Sequence, residues 1–300
     1  MSDETTITRR DALLAAGTVG AVGAGAFGVA GVIGLVSADE AAGEPELVAP
    51  FVKGSIPVDD PGADAWNDAP EAVIPVLAQV LVPPRLPYPG LAELRARALH
   101  DGETVAFRLG WEDEEIDDLD AVDRFHDAVA VMLPMAPGAP PAITMGAKGA
   151  PTHILQWRAT WERDLTGKTG VDQIYPRVVH DVMPDDVLPP DTAALYWVGR
   201  AVGNPLSQAK RTTPIEQIVA EGFGTTTHLD RTDASGHGTH DGSGWTVALG
   251  FPSKREGIGA PLEPGSTWSI AFAVWLGQQA NRGGRKHYAN WVKLTLAPRP

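Results

Sequence analysis

The clearest strand signals in this chain are two segments in which large apolar side chains occupy every second position. They run from Thr104 to Trp111 and from Thr267 to Trp275. Period-two alternation of this kind is typical of half-buried β-strands. In the second segment the intervening positions include Ser269, Ala271 and Ala273. Because these side chains are small, we expect either a bulky ligand or a closely packed sheet against that face.

The rest of the pattern favours short strands joined by turns. The chain has 33 glycines and 26 prolines among its 300 residues, so turns are frequent. Further strands are predicted over Val73–Val82, Ala128–Leu133, Ile154–Trp161, Ala193–Val198, Trp245–Phe251 and Trp291–Leu296. Two helices are predicted, Leu91–Leu99 from its spacing and Pro214–Glu221 from a capping box that opens at Thr213. Together these segments predict a mainly β fold, an antiparallel β-sandwich with a few short helices.

The first 55 residues follow a different pattern. Residues 1–38 combine the pair Arg9 and Arg10 with an uncharged run rich in glycine and alanine, which resembles a twin-arginine export signal. The alternative is an uncleaved membrane helix, since the run is long enough to span a bilayer. We interpret 39–55 as a linker and 56–300 as the folded domain. We expect this domain at the extracytoplasmic face of the cytoplasmic membrane or in a periplasm-like space.

Acidic residues outnumber basic ones, and the formal net charge is −14. A chain of this charge lacks the basic face that neutralises phosphates, which argues against nucleic acid as a partner. Arginine also outnumbers lysine. This balance is common where high salt screens the repulsion between carboxylates, so we infer a halophilic, archaeal host. The acidic run Glu112–Asp120 is interpreted as a solvated loop, because its spacing is not that of a calcium site.

Two loops that contain glycine carry the most distinctive chemistry. Met145 lies between Thr144 and Gly146, and Lys286 closes the run RGGRK that begins at Arg282. Glycine lets a backbone approach a planar ligand closely. A thioether is a soft ligand that suits haem iron. The alternative for Met145 is that it fills a gap in the core, as most methionines do.

The two loops resemble those of the haem b (gamma) subunits of the type II dimethyl sulfoxide reductase family, which includes ethylbenzene, dimethylsulfide, selenate and chlorate enzymes. The methionine loop follows a DAVAV strand at Asp127–Val131, and the lysine loop has the form R-G-G-x-K at Arg282–Lys286. The resemblance implies a β-sandwich fold for the 56–300 domain. It also implies that Met145 and Lys286 are the two iron ligands of a haem b.

The residues beside these ligands have expected roles of their own. The chain has no cysteine, so the haem would be bound non-covalently. Arg282 and Arg285 are expected to lower the pKa of the lysine by like charge and to neutralise the haem propionates. Gly146 and Gly284 are expected to lie against the cofactor. Both loops connect consecutive strands, and we expect them to emerge at the same end of the sandwich.

A haem with two protein ligands has no open position for a substrate, so the resemblance implies electron transfer and not catalysis. The subunit would relay electrons between an external redox carrier and an iron–sulfur beta subunit, which serves a molybdopterin alpha subunit. Among the substrates of such complexes we favour a respiratory oxyanion such as nitrate. On this hypothesis neither nucleic acid nor polysaccharide is a partner.

Two other functions stay open from the residues alone. The first is a secreted carbohydrate-binding module that binds sugar through exposed aromatic side chains. The candidates for such a platform are Trp157, Trp161, Trp245 and Trp275. The second is a zinc or copper site built on His237 and His240 in the flexible-looking string HGTHD. His153 is interpreted as a strand-end residue and not a metal ligand.

Overall fold

Short β-strands make up most of the regular structure. The computed structural model describes residues 45–167, 174–177, 189, 192, 195–208 and 211–300. Its strands are β1 (Glu46–Ala49), β2 (Ala72–Pro75), β3 (Leu77–Ala78), β4 (Glu93–His100), β5 (Thr104–Glu112), β6 (Ala128–Pro134), β7 (Thr152–Arg158), β8 (Ile215–Ala220), β9 (Thr227–His228), β10 (Ser235–His240), β11 (Gly244–Pro252), β12 (Thr267–Trp275), β13 (His287–Tyr288) and β14 (Val292–Leu296). The predicted export signal over 1–38 lies outside the described residues.

The helical elements of the described chain are short. The α-helices are α1 (Ala159–Arg163) and α2 (Val198–Ala201). Single 3₁₀ turns span Asp64–Asp68, Pro205–Ser207 and Gly277–Gln279. Within the described ranges, no helix has both the length and the apolar character needed to cross a lipid bilayer.

The described strands form two sheets. The larger has nine strands in the order β1-β14-β12-β6-β7-β8-β9, with β13 paired to β12 and β3 paired to β13. The smaller has five strands in the order β10-β11-β5-β4-β2. Neighbouring strands are antiparallel, except for the parallel edge pair of β1 and β14. The predicted mainly β fold is confirmed.

One continuous apolar core joins the two sheets. Val131 and Leu155 of the larger sheet lie in the same buried cluster as Phe107 and Leu249 of the smaller sheet. Burying an aliphatic or aromatic side chain of this size contributes roughly 1.5–3 kcal/mol. This core therefore determines which face of the larger sheet points inward and which points outward.

The larger sheet is apolar on its outer face as well. All seven residues of β6 are buried. Val129 and Val131 lie in the core between the sheets, whereas Ala130 and Met132 belong to a second cluster on the outside. Alternate residues of a strand point to opposite faces, and a sheet that is apolar on both faces is normally covered on both. Loops cover the outer face here, and the candidate site lies beneath them.

Both predicted helices are wrong, because each segment is a strand of a sheet. β4 covers the segment Leu91–Leu99 and pairs with β2 and β5. β8 covers the segment Pro214–Glu221 and lies between β7 and β9. Thr213 does not start a helix, since its hydroxyl donates to the carbonyl of Ala234 at 2.7 Å. Pairing with strands that are distant in sequence outweighs local helix preference in both places.

The predicted linker over 39–55 is too long. It contains β1, which pairs residue for residue with β14, so the sandwich begins at Glu46 and not near Ile56. A short edge strand gave no pattern long enough to recognise in the sequence. Residues 39–44 lie outside the described ranges.

Three other segments predicted as strands differ from the prediction in the structure. The strand over Val73–Val82 is divided into β2 and β3. The strand over Ile154–Trp161 ends at Arg158, where α1 takes over. In the segment predicted as a strand over Ala193–Val198, residues 193 and 194 lie outside the described ranges and Val198 begins α2.

Acid sensitivity follows from His153, which is only 1% exposed and lies on the core face of β7 beside Phe251. Burial lowers its pKa from 6.5 to about 4. Between these values the unfolded chain takes up a proton that the folded chain does not, so this contribution to stability is present above pH 6.5 and is lost as the pH falls towards 4. We expect the free energy of unfolding of the wild type to fall by on the order of 1–2 kcal/mol more than that of His153→Gln between pH 7 and pH 5.

Urea denaturation of both proteins at the two pH values measures this difference. Other titrating groups are common to both proteins and cancel in the comparison. A difference between wild type and variant that does not change with pH would contradict the assignment of His153 as a neutral core residue.

Candidate functional site

A cavity of about 430 Å³ lies on the outer face of the larger sheet. This volume is within the range of about 300–1,000 Å³ that is usual for small-molecule and cofactor sites. Ala130, Ala271 and Ala273 lie side by side on β6 and β12 and line it. The expected room beside the small residues of β12 is therefore present at Ala271 and Ala273. Ser269 does not line the cavity.

Larger apolar side chains surround this alanine floor. Met132, Ile154 and Ile218 continue it across β6, β7 and β8. Trp275 lines the end at which β12 stops, and Phe223 lies in the β8–β9 connection. The cavity thus combines an apolar floor of small side chains with bulky apolar groups around it, which is the composition typical of cofactor pockets.

The loop between β6 and β7 brings Met145 to the cavity. Met145 has a φ of +68°, in the left-handed region that few residues other than glycine adopt. Its carbonyl accepts a hydrogen bond from the backbone N–H of Gly222 at 2.8 Å. Gly146 follows with a φ of +86°, and its N–H donates to the carbonyl of Ala142 at 2.9 Å. The backbone on both sides of Met145 is therefore fixed, in a conformation that costs on the order of 1 kcal/mol.

The space around Gly146 is too small for a side chain, so this position requires glycine. A Cβ at this position would lie 2.7 Å from the carbonyl oxygen of Ala150 and 3.1 Å from that of Ala220. Gly146 itself does not line the cavity. It lets the Met145 loop lie against the end of β8, which holds the methionine over the outer face.

The loop between β12 and β13 brings Lys286 to the same cavity. Arg282 and Arg285 exchange backbone hydrogen bonds at 3.0 and 2.9 Å, with Gly283 and Gly284 at the turn. The side-chain nitrogen of Gln79 donates to the carbonyl of Gly284 at 2.6 Å, and its backbone N–H donates to that of Lys286 at 2.9 Å. These contacts hold the loop on both sides of the lysine.

The amine of Lys286 has an unusual environment. Its Nζ lies 4.8 Å from the ring centroid of Trp275, and among the described residues no carboxylate pairs with it. Burial lowers the pKa of Lys286 from 10.5 to about 8. The residue is half-buried, because part of its surface forms the cavity wall. A lysine in this setting releases its proton much more readily than a surface lysine does.

The positions of Arg282 and Arg285 do not favour the expected roles. Burial alone lowers the pKa of Lys286, with no contribution from like charge. Arg282 is exposed, stacks on Phe125 at 4.6 Å and donates to the carbonyl of Ala280. Neither arginine lines the cavity. The wall at this loop is formed instead by Gly283, Gly284 and Lys286, which the linear motif does not reveal.

The two loops leave the larger sheet at opposite ends, so the expectation of a shared end is wrong. β6 and β12 are antiparallel, with Ala128 opposite Trp275. The Met145 loop leaves β6 after Pro134, whereas the Lys286 loop leaves β12 after Trp275, beside the start of β6. The ends of β6 are six residue steps apart, or roughly 20 Å. The loops fold towards each other over the sheet and reach the cavity from opposite directions.

A buried carboxylate anchors the start of the Lys286 loop. Asp127 accepts hydrogen bonds from the backbone N–H of Gly277 at 2.8 Å, from that of Asp117 at 2.8 Å and from the indole of Trp245 at 3.0 Å. Burial raises the pKa of Asp127 to about 7. Asp113, nearby, accepts from the side chain of Gln278 at 2.8 Å. These contacts tie the first turn of the loop to the start of β6.

The acidic run over Glu112–Asp120 is therefore not entirely a solvated loop. Asp113 is 3% exposed, and burial raises its pKa. Asp117 is bonded through its backbone to Asp127. Sequence reasoning missed this arrangement because Asp113 and Gln278 are far apart along the chain. Gln79 was missed as well, although it is a polar residue within an otherwise apolar segment.

The structure disfavours the carbohydrate-binding alternative. An aromatic sugar platform must be exposed, but the four candidate tryptophans are buried. Their exposures are 0% for Trp157, 6% for Trp161, 6% for Trp245 and 8% for Trp275. Trp157 and Trp245 pack together in the core, with ring centroids 4.9 Å apart.

The two histidines of the metal-site alternative have separate partners. They lie on β10, not in a flexible loop, and their odd spacing places them on opposite faces of the strand. His237 contacts Glu162 at 2.7 Å, and His240 contacts the carbonyl of Asp113 at 2.9 Å. No cluster of three or more metal-binding side chains occurs in the part of the chain that the structure describes.

Comparison with known proteins matches residues 63–176 to the family described as ethylbenzene dehydrogenase. A Haloferax mediterranei protein, named provisionally as respiratory nitrate reductase heme subunit ORF7, is 24% identical over 80% of this chain and 69% of its own length. Chlorate reductase subunit gamma of Ideonella dechloratans is 24% identical over 75% of this chain and 74% of its own length. Dimethylsulfide dehydrogenase subunit gamma of Rhodovulum sulfidophilum is 36% identical over 28% of this chain and 34% of its own length.

Among solved structures, a family 9 carbohydrate-binding module of Caldicellulosiruptor kristjanssonii in complex with glucose covers 85% of this chain and 97% of its own. The sequence identity is 7% and the TM-score is 0.40. The same module with cellotriose has a TM-score of 0.42 at 6% identity. A likeness at this level says nothing about which ligand the present chain binds.

Substitution of two of the glycines of the Met145 loop separates backbone strain from steric contact. Gly146 and Gly149 both have positive φ, +86° and +77°, but a Cβ at Gly149 meets nothing within 4 Å. We expect Gly146→Ala to reduce the free energy of unfolding by about 1–3 kcal/mol more than Gly149→Ala, the usual cost of overpacking. Urea denaturation measures both values. Equal losses would contradict the close approach of Gly146 to the carbonyls of Ala150 and Ala220.

Proposed function

We propose that this chain binds a haem b through Met145 and Lys286 and relays electrons. Its relatives confirm that it resembles the haem gamma subunits of the type II dimethyl sulfoxide reductase family. The observation that carries the proposal is the convergence of these two side chains on one cavity, from loops at opposite ends of the larger sheet. Met145 and Lys286 would hold the iron of a haem in this cavity from two different directions, and the iron would supply the redox chemistry.

The cavity fits a porphyrin in its chemistry. Its floor is apolar, and the small side chains of Ala130, Ala271 and Ala273 leave room above the sheet for a bulky ring. Its two candidate donors are a thioether and an amine. Thioether ligands are established for haem iron. The sequence has no cysteine, so a haem in this cavity is held without thioether links to the chain.

The amine is close to the protonation state that ligation requires. An ordinary lysine with a pKa near 10.4 costs on the order of 4–5 kcal/mol to deprotonate at pH 7. With its pKa lowered to about 8, Lys286 needs roughly 1–2 kcal/mol. The lack of a carboxylate partner in the described chain also favours the neutral form. Metal bonding can readily offset a cost of this size.

A haem iron held by two protein ligands changes oxidation state without binding substrate. All three relatives are named as subunits of reductase or dehydrogenase complexes. The chain is thus a non-catalytic electron-transfer subunit of an oxidoreductase complex, as expected from the sequence. Its own residues hold the cofactor, orient it and exclude water from it.

The partners and setting are part of the proposal. We assign the chain an iron–sulfur beta subunit and a molybdopterin alpha subunit as partners, together with an external redox carrier. The name of the Haloferax relative supports nitrate as the oxyanion reduced. The twin-arginine motif supports export to the extracytoplasmic side of the membrane, and the net charge of −14 supports a halophilic host.

Replacing each ligand tests the proposal directly. We expect the full chain to take up haem with a Soret band that changes on reduction. Met145→Ala and Lys286→Ala should each weaken haem binding by at least the 10–100-fold that loss of a supporting group typically costs a metal site. Absorbance titration of the haem-free protein measures the affinity.

The matched control is Met132→Leu. Met132 is a second methionine that lines the cavity, but it lies in the floor on β6. Its replacement should leave the positions of the absorption bands unchanged. Wild-type protein that binds no haem, or ligand variants with the spectrum and affinity of the wild type, would overturn the proposal.

A further inference from the structure

One wall of the cavity is polar, in contrast to its alanine floor. Gln156, Arg158 and His228 line the cavity on the side of β7, β8 and β9. Strand register places them together, because Gln156 pairs with Glu216 and Ile218 pairs with His228. Glu216 lies beneath them and is only 2% exposed.

A single buried carboxylate holds two basic side chains. One carboxylate oxygen of Glu216 accepts a hydrogen bond from an Nη atom of Arg158, and the other contacts Nδ1 of His228. This Nδ1 contact is a close approach without hydrogen-bond geometry, and it leaves the second ring nitrogen of His228 as the one to meet a ligand. Arg158 keeps donor capacity too, because its contacts with Gln156 and Glu216 both use the same Nη atom.

No other basic side chain of the described chain is placed to meet an anionic group in this cavity, apart from the proposed iron ligand Lys286. Arg282 is exposed on Phe125, and Arg285 does not line the wall. The His228 side chain is 32% exposed, so it lies at the rim. A carboxylate bound there keeps part of its hydration and avoids most of the cost of burying a charge.

We propose that Arg158 and His228, positioned by Glu216, form a carboxylate-binding subsite that takes the propionate groups of the haem. This inference rests on the proposed function and reassigns the propionate contact from Arg282 and Arg285. Arginine and histidine side chains form charge-assisted hydrogen bonds to carboxylates, and such bonds are stronger than those between neutral groups. By holding the carboxylates, the subsite would fix the orientation of the cofactor in the cavity.

The test compares two probes, haem and haem dimethyl ester, which has no free carboxylates. Both are titrated by absorbance into the haem-free full chain. One variant is His228→Gln, on the edge strand β9. The other is the double variant Arg158→Gln with Glu216→Gln, which removes both charges together and leaves no unpaired buried carboxylate. Arg282→Gln is the matched control.

The expected readout is the ratio of the two affinities. Wild type should bind haem more tightly than the ester, by about tenfold or more, as for hydrogen bonds to charged groups. Both variants should lose most of this preference while binding the ester as the wild type does, and Arg282→Gln should keep it. Equal weakening of both probes, or loss of the preference only in Arg282→Gln, would overturn the subsite alone. If the wild type binds neither probe, the proposed function fails and the subsite fails with it.

Discussion

The constraint on which the rest of the structure depends is the burial of the larger sheet on both faces. One face packs in the core of the sandwich, and Ala130, Ala271 and Ala273 make the other face apolar with small side chains. Apolar surface of this kind is unfavourable in water, at about 25 cal/mol per Å². The loops that cover the rim of this face leave a cavity over the alanines. The same sequence feature therefore explains both why loops cover this face and why a cavity remains beneath them.

The electrostatics of the cavity separate it into two regions. At one end the half-buried Lys286 has no carboxylate partner in the described structure, and burial lowers its pKa to about 8. On the side wall, Arg158 and His228 share the buried carboxylate of Glu216. The unpaired amine is suited to donate a lone pair to a metal, whereas the paired basic groups stay fixed in place. The few basic groups that face the cavity of this acidic protein therefore have two distinct roles, one as a candidate metal ligand and one as a fixed pair of basic side chains.

Sequence reasoning succeeded where the signal is local. Alternation located β5 and β12, because burial of one face of a strand imposes period two on neighbouring residues, and a continuous apolar run located β6. The glycine loops likewise identified Met145 and Lys286, both of which reach the cavity. It failed at β4 and β8, where pairing between distant segments overrides helix preference. The Gln79–Gly284 contact spans 205 residues, so no window along the chain could have revealed it.

The central claim is that a thioether and a neutral amine reach one cofactor from opposite ends of a single sheet. X-ray absorption at the iron edge, recorded on the haem-loaded full chain, tests this most directly because sulfur and nitrogen neighbours scatter differently. The account predicts one sulfur neighbour at the iron, absent from Met145→Ala, with nitrogen at the remaining positions. An iron surrounded by nitrogen and oxygen alone would contradict it.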